Sequence, residues 1–345
     1  MLQDLRSKIV GGVLAPGQQL PTRVELTEQY QISSKTLQQV LTRLIDDGFV
    51  RADRRNGTFV IEHPPHLSRY GLVFPLTAIE SRRSLHWQAL LDAAQALTTE
   101  PSRVFATYSG LMHPGETSDY TSLCYDLQAQ RVAGIIFASV PGGLVETPVL
   151  QQDGIPRVAI SATPVDPGVA CIHYNFDSFI QRALTHLHRR GRRRIGLFMF
   201  SGWGAETIAL SHPIRQAAHA LGMTIDDRWV QGAAVHAPQL TANSVRLLMS
   251  LPRAERPDSL IITDDNIVQH VTHGLALAGI SVPSELDVVA YTNFPTPAPA
   301  AVPVYRVGYD MRASLSQAIT YISAVRAGEK PPMTMHVTAT SDDEM

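Results

Sequence analysis

The chain has 345 residues, 44% hydrophobic and 17% charged, with 23 glycines and 23 prolines. At about 150 residues per domain this is enough apolar material for two or three folded domains, which excludes a mainly disordered chain. A net charge of -2 leaves any nucleic-acid surface to a local patch, and two cysteines, Cys124 and Cys171, exclude a disulfide framework or a four-cysteine zinc site.

No apolar run approaches the roughly 18 residues that span a bilayer. Asp4, Arg6 and Lys8 in the first turn leave no signal-peptide core. A soluble cytoplasmic protein is expected.

Leu2, Leu5, Ile9 and Val10 space a first helix, broken by Gly11, Gly12, Pro16 and Gly17. Thr22, with Glu25 three residues on, can cap a second helix through Leu26 to Tyr30. After Gln31-Ile32, Ser33 or Ser34 can cap a third. There Leu37, Val40, Leu41, Leu44 and Ile45 form an apolar stripe, while Lys35, Gln38, Gln39, Thr42 and Arg43 lie opposite. Gly48 stops it. Two strands, Phe49-Val50 and Thr58–Ile61, are expected around an Arg51–Gly57 connection whose Asn56-Gly57 is a hairpin signal.

Three helices and a basic-tipped hairpin predict a winged helix-turn-helix over residues 1–62. Its polar helix face suits the major groove, and Arg51, Arg54 and Arg55 suit phosphates or the minor groove. This stretch resembles the reader domain of GntR-family transcription regulators. The likeness rests on Pro16-Gly17, Leu20-Pro21, Ser33-x-x-Thr36, Leu44 with Gly48, and Gly57-Thr58-Phe59-Val60. It implies DNA contacts from Thr22, Arg23, Ser33, Ser34, Lys35, Thr36, Gln38, Gln39, Arg54, Arg55, Asn56, Gly57 and Thr58. The chain departs from the family at Val24, Ser34 and Gln38, where arginine is usual. Arg23 and Lys35, each one position away, are placed to compensate.

Residues 63–68 carry Pro64-Pro65 and are expected to be an extended, semi-rigid linker without a hinge helix. Beyond them β-rich runs alternate with helical spacing. Candidate strands are 71–74, 103–108, 134–139 and 157–161, then 195–200, 230–235, 259–263 and 288–291. Candidate helices are 85–97, 179–187, 240–251 and 267–278. The alternation predicts an α/β fold with parallel sheets covered on both faces, in two similar lobes.

Residues 69–340 resemble the effector domain of the LacI/GalR family, which is similar to periplasmic sugar-binding proteins (type I). The phrases are "NFDSFIQRALTHLHRRGRRRIGLF", "RPDSLIITDDNIVQHVTHGLALAGISVPSELDVVAYTN" and "VYRVGYDMRASLSQAI". The resemblance implies a domain over 69–345, with one lobe at about 69–161 and 294–326 and the other at about 162–293 and 327–340. A GntR-type reader joined to such a sensor resembles the arabinose-responsive repressor group.

Sugars are held by carboxylates, amides and an aromatic face. Strand ends and the family likeness offer Phe74, His86, Trp87, Ser139, Ser161, Asn175, Asp177, Trp203, Arg215, Asp264, Asp265 and Asn293. Asp265 is favoured over Asp264 by the resemblance. Trp87 is as suited to a core, Asp177 to capping a helix at Ser178, Asp264 to capping, and Asn293 to a turn. The basic run Arg189–Arg194 reads as a solvated helix end. His186 with His188, and His270 with His273, lack a third ligand at metal spacing, so no metal or cofactor is expected. Catalytic motifs are missing from the sequence.

The expected function is a ligand-responsive, sequence-specific regulator, a repressor of carbohydrate-utilisation genes acting as a homodimer on double-stranded operator DNA. A sugar-like effector would bind between the lobes. The alternative is a sugar sensor acting through a protein partner, its DNA-binding domain vestigial.

Overall fold

In a computed structural model, residues 1–81, 84–98, 102–112, 117–161, 168–201 and 205–344 are described. Helices α1 (Leu2–Val10), α2 (Arg23–Tyr30) and α3 (Ser34–Asp46) are followed by strands β1 (Val50–Asp53) and β2 (Gly57–Val60). The Thr22 side chain accepts from the Glu25 amide, while a Glu25 carboxylate oxygen accepts from the Thr22 amide, a complete capping box. Ser33, not Ser34, caps α3 by accepting from the Thr36 amide. The hairpin is tighter than expected, because β1 continues through Asp53. Asp53 then accepts from the Arg55 and Asn56 amides, and Gly57 takes φ +108°, a conformation that favours glycine. Leu5, Ile9, Leu26, Leu37, Leu41, Leu44, Phe49 and Val60 close the small core.

Residues 63–68 depart from the expected spacer. Pro65–Ser68 form a short helix, α4, with Pro65, His66 and Ser68 buried. A proline at the first helical position gives up no hydrogen bond, which is why the Pro-Pro pair starts a turn here.

The first large sheet has the order β13-β7-β6-β5-β3-β4. Its strands are β3 (Arg69–Val73), β4 (Val104–Tyr108), β5 (Gly134–Phe137), β6 (Arg157–Ser161), β7 (Ala170–Asn175) and β13 (Thr334–Thr338). β3 pairs in parallel with β4 and β5, and β5 with β6. Helices α5 (Ala78–Ser81), α6 (Leu85–Leu97), α7 (Ser118–Gln128) and α8 (Pro148–Gln151) lie between these strands in sequence, and α9 (Phe176–Arg189) follows β7.

The second sheet has the order β14-β12-β11-β10-β8-β9. It comprises β8 (Ile195–Phe200), β9 (Val230–Ala233), β10 (Ser259–Ile262), β11 (Asp287–Phe294), β12 (Tyr305–Asp310) and β14 (Thr340–Ser341). Pairing is parallel except between β12 and β14. Helices α10 (Ala205–Ala220), α11 (Pro238–Met249), α12 (Val268–Leu277) and α13 (Met311–Arg326) complete the chain. All eight candidate strands and four candidate helices of this part are found.

Two compact units result. One holds residues 1–81, 94–172 and 315–335, and the other 82–93, 173–314 and 336–345. Residues 294–314 were expected with the first lobe but belong to the second unit. β12 is the reason: it runs parallel to β11 in the register Thr292↔Gly308. Gly308 allows that approach, since a Cβ there would lie 1.7 Å from the Thr292 carbonyl oxygen. Residues 168–172, expected with the second lobe, fall partly in β7 and in the first unit, and residues 162–167 lie outside the described residues. No helix among the described residues is long and apolar enough to cross a membrane.

Candidate functional site

Among the described residues, two groups have the chemistry to meet a partner, one in each unit. In the first unit, α3 buries Leu37, Leu41 and Leu44 and turns Ser34, Lys35, Gln38 and Gln39 outward. Gln38 donates to the Thr42 hydroxyl at 3.1 Å, which steadies its amide on the exposed face. Ser33 and Thr36 are held by the cap, and Thr22 by the capping box, so these three shape the helix starts.

On the wing, Arg54 and Arg55 are exposed, and the Arg51 guanidinium lies 5.2 Å from the Phe59 ring centre. Asn56 is tied to Asp53 through its amide side chain, and its carbonyl accepts from Gln19 at 2.6 Å. Thr58 is half-buried, its carbonyl accepting from the Leu20 amide. Asn56, Gly57 and Thr58 therefore build the wing's backbone. Among the described residues of this domain, Arg23, Ser34, Lys35, Gln38, Gln39, Arg54 and Arg55 are exposed and turned outward.

In the second unit, Asp264, Asp265, Asn293 and His86 come together. β10 ends at Ile262, and Asp264 caps the turn after it by accepting from the Asn266 amide at 2.9 Å. This leaves Asp265, 3% exposed, beside Asn293 at 1%. Asn293 Nδ2 donates to Asp265 Oδ2, and His86 Nδ1 lies 3.2 Å from Asn293 Oδ1. Burial, with the like charge of Asp264 second, pushes the Asp265 carboxyl up to about 7. Burial also raises Asp264, and lowers His86 despite its Asn293 contact. The cluster is thus a set of hydrogen-bond donors and acceptors, a chemistry suited to hydroxyls.

Sequence reasoning missed Asn266 and three tyrosines. Asn266 Oδ1 accepts from the Leu85 amide at 2.9 Å, and its Nδ2 donates to both Asp264 and Asp265. Tyr174 and Tyr309 stack with centres 4.4 Å apart, and Tyr291 lies at a tilt to Tyr309. Each sits in a strand close to a residue already singled out, Asn175 or Asn293, which was the available signal.

The other candidates lie outside this cluster. Arg215 donates to the Ile225 carbonyl at 2.7 Å and pairs with Asp227 at 2.7 Å. Asn175 caps α9 by accepting from the Ser178 amide, so the helix begins before Ser178 and Asp177 is exposed in its first turn. In the first unit Phe74 is fully buried, Ser161 is buried and Ser139 is half-buried after β5. Trp87 is half-buried on α6, and Trp203 lies outside the described residues. The basic run is more than a solvated end, because Arg190 and Arg192 both pair with buried Asp287, at 2.8 and 2.6 Å.

Residues 2–60 match the family model described as bacterial regulatory proteins, gntR family. Residues 184–340 match that of a periplasmic binding protein-like domain. The arabinose metabolism transcriptional repressor of Geobacillus stearothermophilus is 20% identical over 306 residues, covering 85% of this chain and 80% of that protein. The HTH-type transcriptional repressor NagR of Bacillus subtilis is 28% identical over 121 residues, covering 35% of this chain and 49% of that protein. A solved LacI-family transcriptional regulator from Lactobacillus casei, with bound glucose, superposes with a TM-score of 0.57 at 16% identity. That match covers 81% of this chain and 99% of the other.

Proposed function

From a chain that joins a gntR-type reader to a periplasmic-binding-protein-like effector domain, we propose a sugar-responsive, sequence-specific repressor of carbohydrate-utilisation genes. Its relatives are transcriptional repressors and not enzymes, and this chain is a regulator of the same type. The observation that carries the reading is the outward face of the reader. Arg23, Lys35, Gln39, Arg54 and Arg55 are exposed, and among the described residues their side chains take no part in the ion pairs that hold the domain. Gln and Lys on α3 meet base edges, while wing arginines neutralise phosphates.

The effector is a sugar or a close derivative, contacted in the second unit by Asp265, Asn293 and His86. Asp265 and Asn293 accept and donate to hydroxyls, and the Tyr174–Tyr309 pair stiffens the strands behind them. Two copies present two readers to a pseudo-palindromic site. Effector and operator are coupled reciprocally, so a sugar that weakens DNA binding is itself bound more weakly on DNA.

The test selects duplexes from a random pool with the full chain at low salt. It then measures retention of the selected duplex while arabinose, glucose, N-acetylglucosamine and their acids are added in turn. A selected motif whose affinity shifts about tenfold or more with one sugar, about 1.4 kcal/mol of coupling, supports the proposal. No selected motif, or a motif indifferent to every sugar, overturns it.

A further inference from the structure

An aspartate at the C-terminal end of a helix works against the helix dipole, yet Asp47 caps α3 and is 3% exposed. Cations gather around it. Arg6 of α1 pairs with one carboxylate oxygen at 2.5 Å, and Arg43 of α3 reaches the same oxygen at 3.4 Å. The other oxygen faces away from the reader. It accepts from the Tyr125 hydroxyl of α7 at 2.8 Å and has Arg131 at 3.9 Å.

The contact continues into the sheet half of the same unit. Two guanidinium groups lie over the Tyr125 ring, Arg43 at 4.8 Å and Arg131 at 5.7 Å from its centre. Arg131 also pairs with Asp126 at 3.1 Å. Asp126 in turn holds Arg69 at 3.0 Å and accepts from the Tyr108 hydroxyl. Both residues lie in strands, so the chain of contacts runs from α3 to β3 and β4. Beside it Phe49 stacks on His66 with ring centres 5.9 Å apart. Ser68 Oγ donates to the His63 carbonyl at 2.9 Å, which ties the linker to its own backbone.

We propose that Asp47, Tyr125 and Arg131 are positioning residues for DNA reading, which fasten α3 to the first sheet so that reader and sheet turn as one body. This rests on the DNA-reading function proposed above. The fastening leaves the reading face open: Ser34, Lys35, Gln38 and Gln39 occupy the N-terminal half of α3, and Arg43 and Asp47 its other end. The linker contributes length and packing, while orientation is set by the Asp47 clasp.

Asp47→Asn strands Arg6 in the reader core and can unfold the domain, so the decisive variant is Tyr125→Phe with Arg131→Gln. It spares the reader's own Arg6–Asp47 and Arg43–Asp47 pairs. Amide relaxation of the perdeuterated full-length chain reports how residues 1–60 tumble relative to the body. The parent should show one correlation time throughout. In the double variant that of residues 1–60 should fall about twofold or more, as for a domain on a flexible tether.

A second readout uses duplexes selected by the parent. The variant should keep the parent's affinity for a single half-site yet accept altered spacings between paired half-sites. A parent reader that tumbles independently, or a double variant with unchanged tumbling and spacing preference, overturns the proposal. A parent that selects no duplex overturns the DNA-reading function itself, and the positioning role with it, whatever the relaxation shows.

Discussion

Arg54 and Gln38 are both exposed on the reader, but their removal has different consequences. A wing guanidinium contributes charge, so Arg54→Ala should weaken binding to every duplex and lower the salt slope by about one. A side-chain amide on the recognition helix contributes geometry. Gln38→Ala should change which base pairs are preferred, with discrimination at one position falling by about 1–3 kcal/mol, read by competition between single-base variants. Asp265 makes a separate prediction. Its carboxyl is raised to about 7 from 3.8, so the folded state holds a proton that the unfolded state releases between those values. Its contribution is therefore lost as pH rises from about 4 to about 7. Asp265→Asn should melt with the parent near pH 4 and increasingly above it toward pH 7, which thermal scans at several pH values check. Asp264, Asp265 and Asn293 could be singled out from the sequence because they stand at or near the ends of apolar strand runs. The fate of Arg215 was not, because nothing local to Arg215 announces that Asp227 and the Ile225 carbonyl lie within its reach.

At the scale of elements, α4 sets up a pH test. His66 is buried against Phe49, and desolvation, aided by the charge of Arg326, lowers its pKa from 6.5 to about 4. A depressed histidine stabilises fully above the unfolded value, and that stability is lost as pH falls from about 6.5 toward 4. The parent should therefore lose protection of amides near the linker over that range in hydrogen exchange, while His66→Phe should lose much less. The reader's elements were legible because capping chemistry and apolar spacing are local: Thr22 with Glu25, Ser33, and the Leu37–Leu41–Leu44 stripe each fixed a boundary. α4, β7 and β12 were not. α4 depends on Phe49 and Gly48 packing against it, and β12 on the space that Gly308 leaves beside Thr292. α10 carries Pro213 within it, which breaks the pattern on which periodicity relies.

For the whole molecule, the two parallel sheets and the winged reader followed from alternation and from the hairpin signal, whereas the assignment of 294–314 needed strand pairing between distant segments. Function divides the same way. The reading face is a local property of one helix and one hairpin, but the proposed sugar response requires energy shared between two binding sites. The direct measurement of that sharing is the affinity of the full chain for its selected duplex, titrated with and without saturating sugar and repeated with the order reversed. Reciprocal coupling requires that at least one sugar changes duplex affinity about tenfold, that duplex changes that sugar's affinity by the same factor, and that Asp265→Ala abolishes the effect while the duplex is still bound. A selected duplex whose affinity is the same with every sugar bound would contradict it.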